Sequence, residues 1–285
     1  MSFSCGPHAM LPDLSACTGC GLLIQPAGIK QLWRAVFTSA YDGGVNETEQ
    51  VAPVGVIGGV GPLATAYFLE RVVKLTDAQR DQDHVDMLVL NHATIPDRTA
   101  FILGTSTQDP GPVLAHDAHR LEAFGVSFIV MPCNTAHFFT QQVLDAITGE
   151  FLSIIDVTVA AALNRAPGSA AVGLLATQGT AQSRVYHDAF AEHGVSVLTP
   201  ELDDQETVNS IIYEQVKAGH AIDLDALRRV AARLVERGAE VVILGCTELS
   251  VAAVDHDLIN EEPFLDSMDE LVRATISKAG RAVRS

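Results

Sequence analysis

Two cysteines stand in matching surroundings. Cys133 falls within Ser127–Phe139, SFIVMPCNTAHFF, and Cys246 within Glu240–Ser250, EVVILGCTELS. In each, an apolar, β-branched run leads through Pro132 or Gly245 to the thiol, and a small polar residue then opens a helix-compatible stretch. That pattern delivers a thiol to the C-terminal tip of a buried strand, where the next helix begins. The positive end of a helix dipole and its backbone donors favour thiolate there. From a reference pKa of about 8.5, a modest depression gives useful thiolate at neutral pH. One thiolate and one thiol on opposite sides of a planar carbon can remove a proton from one face and return one to the other. This is racemisation by two monoprotic acid–base groups.

An α-hydrogen beside a carboxylate is very weakly acidic. Without pyridoxal phosphate, such a site must hold the enediolate-like charge with preorganised donors and exclude water. Asn134, Thr135 and Thr247, each close to a thiol in sequence, are donors of the required type. Backbone N–H groups of the turn holding Gly59, Val60 and Gly61, and of the turn opening at Thr177, can bind a carboxylate in the same manner. A lone strand-end cysteine reads as structural, because cysteine is among the most buried residue types. Two in matched settings read as catalytic.

The elements that must position these groups follow a regular grammar from Val54 onward. The pattern predicts a strand over Val54–Ile57, a glycine turn, and a helix over Leu63–Leu75 with Pro62 at its first position. Leu63, Phe68, Leu69, Val72 and Val73 are its expected apolar side. A strand at Met87–Leu90, a polar loop from Asn91 to Pro112, a helix over Val113–Phe124, the Cys133 strand and its helix, and a strand at Phe151–Ile155 ending on Asp156 follow. Ala171–Leu175 restarts the sequence: strand, turn, helix to His193, strand Val195–Leu198. Helices over Asp203–Lys217 and Asp223–Arg237 come next, then the Cys246 strand, a short strand at Phe264-Leu265 ending on Asp266, and a closing helix. The repeated order of strand–turn, strand–Cys and strand–Asp segments points to a duplicated α/β unit with parallel sheets. Two pseudosymmetric α/β domains are expected, residues 51–156 plus 267–285 and residues 157–266. The active site would lie in the cleft between their strand C-terminal edges.

Composition narrows the function classes. The 285 residues are 48% hydrophobic and carry a formal charge of −17. That charge argues against nucleic acid, since no basic surface exists to displace counterions. No apolar run reaches the roughly 18 residues of a membrane-spanning helix. Five cysteines in a chain of this length do not make a disulfide framework. No secretory signal is read at the start, and working thiols must stay reduced, which points to the cytoplasm. Residues 1–50 lack periodicity and read as a loosely ordered extension, with a short helix possible at Gln31–Thr38. Within them Cys17 and Cys20 have the spacing of half a zinc site, which Cys5 and His8 do not complete. His116 and His119, flanking Asp117, lack an evident third ligand and read as a solvated face. His137, one helical turn beyond Cys133, reads as packing or hydrogen bonding. No metal site is expected.

Taken together, Gly58-Gly-Val-Gly-Pro62, Asn91-His, Ile95-Pro-Asp-Arg98, Met131-Pro-Cys-Asn-Thr-Ala-His137, Leu174-Leu-Ala-Thr177 and Gly245-Cys-Thr-Glu248 resemble the aspartate/glutamate racemase family, which works without pyridoxal phosphate. The resemblance spans about residues 54–280. It implies a two-domain pseudosymmetric fold, usually dimeric, with no cofactor and an amino acid as substrate. It also implies catalytic Cys133 and Cys246, with substrate-carboxylate contacts from Asn134, Thr135, Thr247 and Arg98. One departure bears on the side chain. Where aspartate racemases of the family typically carry Ser-Gly-x-Tyr-x-Lys, this chain reads Ser183-Arg-Val-Tyr-His-Asp188. Either Arg184 replaces the lysine as the cation for an aspartate- or glutamate-like substrate, or Asp188 selects a neutral or basic one. A dicarboxylate isomerase or decarboxylase is the alternative chemistry for such a fold.

Overall fold

The computed structural model describes residues 52–284, apart from 257, 259 and 260. The expectations for residues 1–50, including the Cys17 and Cys20 pair, lie outside the described residues.

Two four-stranded sheets are built in the same order. In the first, β1 (Val54–Gly58) lies between β2 (Met87–Asn91) and β3 (Phe128–Val130), and β4 (Glu150–Leu152) flanks β3. In the second, β5 (Ala171–Leu175) lies between β6 (Ser196–Leu198) and β7 (Val242–Leu244), with β8 (Phe264–Asp266) beside β7. Every pairing is parallel. The inner strands β1, β3 and β7 are buried at every position, which is why they read as continuous apolar runs rather than alternating ones. Within this duplicated order both cysteines follow equivalent inner strands, Cys133 after β3 and Cys246 after β7.

Helices connect the strands. In the first half these are α1 (Pro62–Leu75), α2 (Arg98–Ile102), α3 (Gly111–Ala123), a 3-10 turn at Thr135–Phe139 and α4 (Thr140–Asp145). Helix α5 (Ile154–Arg165) crosses to the second half, which holds α6 (Gln178–Ser183), α7 (Val185–Ala191), α8 (Leu202–Ser210), a π-helical turn at Ile211–Val216, α9 (Leu224–Glu236) and α10 (Thr247–Asp255). Helix α11 (Ser267–Lys278) returns to pack on α5 and α1. The largest apolar cluster draws on both sheets, through Val56, Val130, Val172 and Ile243, and on Phe68 of α1, Ile154 of α5 and Leu271 of α11. Each such side chain contributes about 1.5–3 kcal/mol on burial, so the halves share one core and the cleft between them is defined by packing.

Several expected boundaries differ. Ile154 and Ile155 belong to a helix, not a strand, because the Ser153 hydroxyl caps it by accepting from the Asp156 N–H at 3.2 Å. The 91–112 loop contains α2, started by Asp97, whose carboxylate accepts from the Ala100 N–H at 2.7 Å. The helix expected to run to His193 breaks at Arg184, which adopts a left-handed φ of 62°. Helix Asp203–Lys217 gives way to the π turn after Ser210. On α1, Ala64, Phe68 and Val72 form the buried stripe at helical spacing, while Leu63 (55% exposed) and Val73 (49%) lie off it and face outward.

Candidate active site

The strand ends of both halves meet at a cleft of about 390 Å³, a volume that includes open space at its mouth. From the first half it is lined by Val60, Asp97, Arg98, Thr99, Cys133, Asn134 and Thr135, and from the second by Thr177, Tyr213, Lys217, Cys246, Thr247 and Glu248. Both thiols are free, buried, and on the walls of this single cavity. The size suits a small amino acid rather than a nucleotide cofactor. Among the described residues no group of His, Cys, Asp and Glu could hold a metal ion, and no helix is long and apolar enough to cross a membrane.

Hydroxyls bolt the halves together beneath the thiols. Thr135 Oγ1 lies 3.1 Å from Thr177 Oγ1 and 2.8 Å from Thr180 Oγ1, and the latter two are 3.1 Å apart. The Tyr186 hydroxyl donates to Asn134 Oδ1 at 2.6 Å, and Asn134 Nδ2 donates to Ser267 Oγ at 3.0 Å. Asn134 therefore spans the cleft floor, with its amide engaged on both sides. Burial of Tyr186 pushes its phenol above the ordinary range, so it stays a neutral donor. His137 fixes the Cys133 turn: its Nδ1 donates to the Cys133 carbonyl at 2.8 Å, and its Nε2 accepts from the Ile154 N–H at 3.2 Å. Desolvation lowers its pKa to about 4, and the ring is neutral.

The thiols differ from the sequence expectation in one respect. Burial raises both above the ordinary thiol value, against the lowering expected from the helix termini. At Cys133 the charge of Arg98 and the Ala136 N–H oppose that rise; at Cys246 the neighbouring Glu248 carboxylate adds to it.

Arg98 is held in place by its own strand-to-helix connection: Nη1 donates to the carbonyls of Ile95 at 3.2 Å and Pro96 at 2.9 Å. Across the cleft, Lys217 Nζ lies 3.6 Å from Glu248 Oε1 and 4.6 Å from the centre of the Tyr213 ring. Cys246 Sγ donates to Glu248 Oε2 at 3.0 Å, and Thr247 Oγ1 donates to the same oxygen at 3.3 Å.

Not every residue singled out from sequence reaches the cavity. Arg184 and Asp188 are absent from its walls; they pair with each other at 3.4 Å, both largely exposed. The left-handed turn at Arg184 sends Tyr186 into the core toward Asn134 and leaves Asp188 exposed, so the structure does not bring Arg184 or Asp188 to the cavity walls with the thiols. The cation that the second half does place on the cavity wall is Lys217. Gly59 is also absent from the cavity walls. Its N–H donates to Thr65 Oγ1 at 2.9 Å, and a Cβ there would come within 2.3 Å of the His92 backbone. Gly61, at φ 106°, caps α1 with its Cα close to Glu248, where a Cβ would stand 3.4 Å from Oε1. Sequence reasoning missed Tyr213, Lys217 and Glu248. Their available signal was Tyr213 and Lys217 four residues apart at a helix end, and a carboxylate two residues past a thiol.

The Asp/Glu/hydantoin racemase family model matches residues 57–275. RacX of Bacillus subtilis, a broad-specificity amino-acid racemase, is 29% identical over 230 residues, spanning 79% of this chain and 96% of its own length. The aspartate racemase of Picrophilus torridus superposes with a TM-score of 0.68 at 27% identity, covering 82% of this chain and 96% of that one. Glutamate racemase of Francisella tularensis, at 18% identity and a TM-score of 0.55 over 80% of this chain and 81% of its own, shares the fold. With the family match running through both thiol-bearing halves, this chain belongs to the Asp/Glu/hydantoin racemase family.

Proposed function

We propose that this pocket racemises an amino acid, with no cofactor, by moving the α-proton between Cys133 and Cys246. The observation that carries the reading is the placement of two free thiols, one from each half, on the walls of one amino-acid-sized cavity. In this mechanism the thiolate on one wall removes the α-proton while the thiol on the other delivers its own to the opposite face. Arg98 and Lys217 bring two positive charges to the cavity. They suit the two carboxylates of an aspartate- or glutamate-like substrate, and a cation near the α-carboxylate stabilises the charge that develops there. Val60, Thr135, Thr177 and Thr247 are the further contacts of this reading.

The Lys217–Glu248 pair favours a second reading within the same chemistry. It offers charges of both signs side by side, so a neutral or basic side chain could meet Glu248 where an acidic one meets Lys217. In this account the working halves are residues 51–156 with 267–285 and residues 157–266. The protein acts in the cytoplasm, where thiols stay reduced, as a homodimer.

The test is α-proton exchange in heavy water with single enantiomers of acidic, neutral and basic amino acids. Racemisation gives α-deuteration and loss of optical rotation together. Inertness across the panel would defeat the reading, and a product of changed mass would mark a decarboxylase or another dicarboxylate enzyme.

A further inference from the structure

The duplication that matches Cys133 with Cys246 also matches Thr135 with Glu248, each two residues beyond its thiol. The two side chains act in opposite ways. Thr135 turns its hydroxyl to Thr177 and Thr180 across the cleft floor. Glu248 turns back: one carboxylate oxygen accepts from Cys246 Sγ at 3.0 Å and from Thr247 Oγ1 at 3.3 Å, and the other faces Lys217. Glu248 is only 8% exposed, so water does little to weaken this contact. We propose that Glu248 is a positioning residue that holds the proton of Cys246, making Cys133 the thiol that ionises first and Cys246 the resting acid. The inference rests on the two-thiol reading of the pocket.

The charged groups around the thiols agree in sign. Cys246 faces Glu248 and Lys217 from its own half, and Glu248 outweighs Lys217 at that sulfur. Cys133 faces Arg98 from its own half, with Glu248 and Lys217 of the other half acting more weakly. Tyr213, which faces Lys217, Cys246 and Asp97, has its phenol raised by burial and contributes no charge at neutral pH. Two ionised forms share one proton count and differ in which sulfur carries the hydrogen; Glu248 favours the form with hydrogen on Cys246. The enantiomer whose α-hydrogen faces Cys133 meets a ready base. Its mirror image must meet the other form, reached when the Cys246 S–H bond breaks and a proton is gained at Cys133. Enantiomers have equal free energy, so kcat/KM must be equal for both at every pH. The bias therefore shows as unequal kcat and unequal KM.

The test is iodoacetamide alkylation of the full chain across pH, with each cysteine followed in its own peptide by mass spectrometry. Cys133 is expected to react at the lower pH. In Glu248→Gln, which keeps an oxygen beside the thiol but removes its charge, Cys246 should alkylate about tenfold faster near neutral pH, a shift of about one pKa unit. Cys133 should change much less. Cys246 reacting first in the wild-type protein, or an unmoved Cys246 profile in the variant, overturns the proposal. Should the variant fail to fold, the wild-type order decides alone. Racemisation with indistinguishable thiols would overturn this inference and leave the function standing, whereas unequal thiols without racemisation would do the reverse.

Discussion

Gly179 offers a perturbation whose size can be worked from geometry. It lies in α6 of the second half, against Thr99 of α2, the residue next to Arg98. A Cβ on Gly179 would stand 2.7 Å from Thr99 Oγ1, 3.0 Å from its Cα and 3.1 Å from its Cβ. Carbon contacts at their optimum lie near 3.5–4.0 Å, so Gly179→Ala must push α2 back by roughly half an ångström or more. The Thr99 hydroxyl could rotate away, but its Cα is backbone and moves only with the helix that carries Arg98. Overpacking of this kind costs about 1–3 kcal/mol, which corresponds to about a 5- to 150-fold rise in KM if it falls on the seating of Arg98. Alanine is also the better helix former by up to about 1 kcal/mol, so global stability should change little. The assay pairs racemisation kinetics with thermal unfolding. A raised KM at nearly constant Tm supports a socket that seats Arg98 across the cleft. An unchanged KM would refute the link between Gly179 and Arg98, and a large fall in Tm would show that the contact serves the fold rather than the site.

Other outcomes follow from the same geometry. Cys133→Ala and Cys246→Ala should each abolish net racemisation, by several orders of magnitude in kcat, while the fold persists by circular dichroism; near wild-type turnover in either would defeat the two-base scheme. Because burial raises both thiols, the singly ionised pair should grow about tenfold per pH unit through the neutral range, and log(kcat/KM) should climb with a slope near one to a maximum above the ordinary thiol value and fall again as the second thiol ionises. A profile flat from neutral pH upward would mean that an ionised thiol is already present. Lys217→Met should raise KM for acidic substrates about tenfold or more relative to neutral ones, and an equal loss for both would remove Lys217 from side-chain recognition. His137 is held at about 4, below its unfolded value of about 6.5, so the unfolded chain binds a proton there that the native one refuses. The stability it contributes is complete above about pH 6.5 and is lost as pH falls toward 4, up to about 3 kcal/mol in all. Urea midpoints for wild type and His137→Gln over that window check this, and an unaltered acid slope in the variant would contradict it.

The thiols and the sheets were legible because their signals are local. Apolar runs at β3 and β7 end in Cys133 and Cys246, and buried parallel strands need only such runs to be recognised. The boundary at Ile154 was misread because two isoleucines continue an apolar run, and only the Ser153 cap decides that they turn into a helix. Lys217 was unreadable for a different reason. An α-helix continued from Asp203 sets one face for each residue, and the π turn at Ile211–Val216 resets it. Asp188 was assigned a pocket role from the order of residues in a motif, whereas one left-handed residue, Arg184, turned that segment outward. Pairings across the cleft, such as Asn134 with Tyr186, join residues far apart in sequence and leave no periodic trace.

A duplicated fold supplies two equivalent strand ends, and racemisation asks for two faces, but the halves must still differ. A substrate with an α-carboxylate, an amine and a side chain is not symmetric about the plane that the proton crosses. Matched positions have accordingly been put to different uses. After Cys133, Asn134 and Thr135 tie the first half to Tyr186, Thr177 and Thr180, and Asn134 also bonds Ser267. After Cys246, Thr247 and Glu248 make no such tie and instead face the thiol and Lys217. One wall is thus anchored by neutral hydroxyls while the other carries an adjustable ion pair. A carboxylate exchanged into position 135 would displace the hydroxyl that bonds Thr177 and Thr180, whereas Glu248 has Lys217 3.6 Å away. Burying a carboxylate without a close cation costs several kcal/mol, so the pairing with Lys217 offsets the cost of burying Glu248.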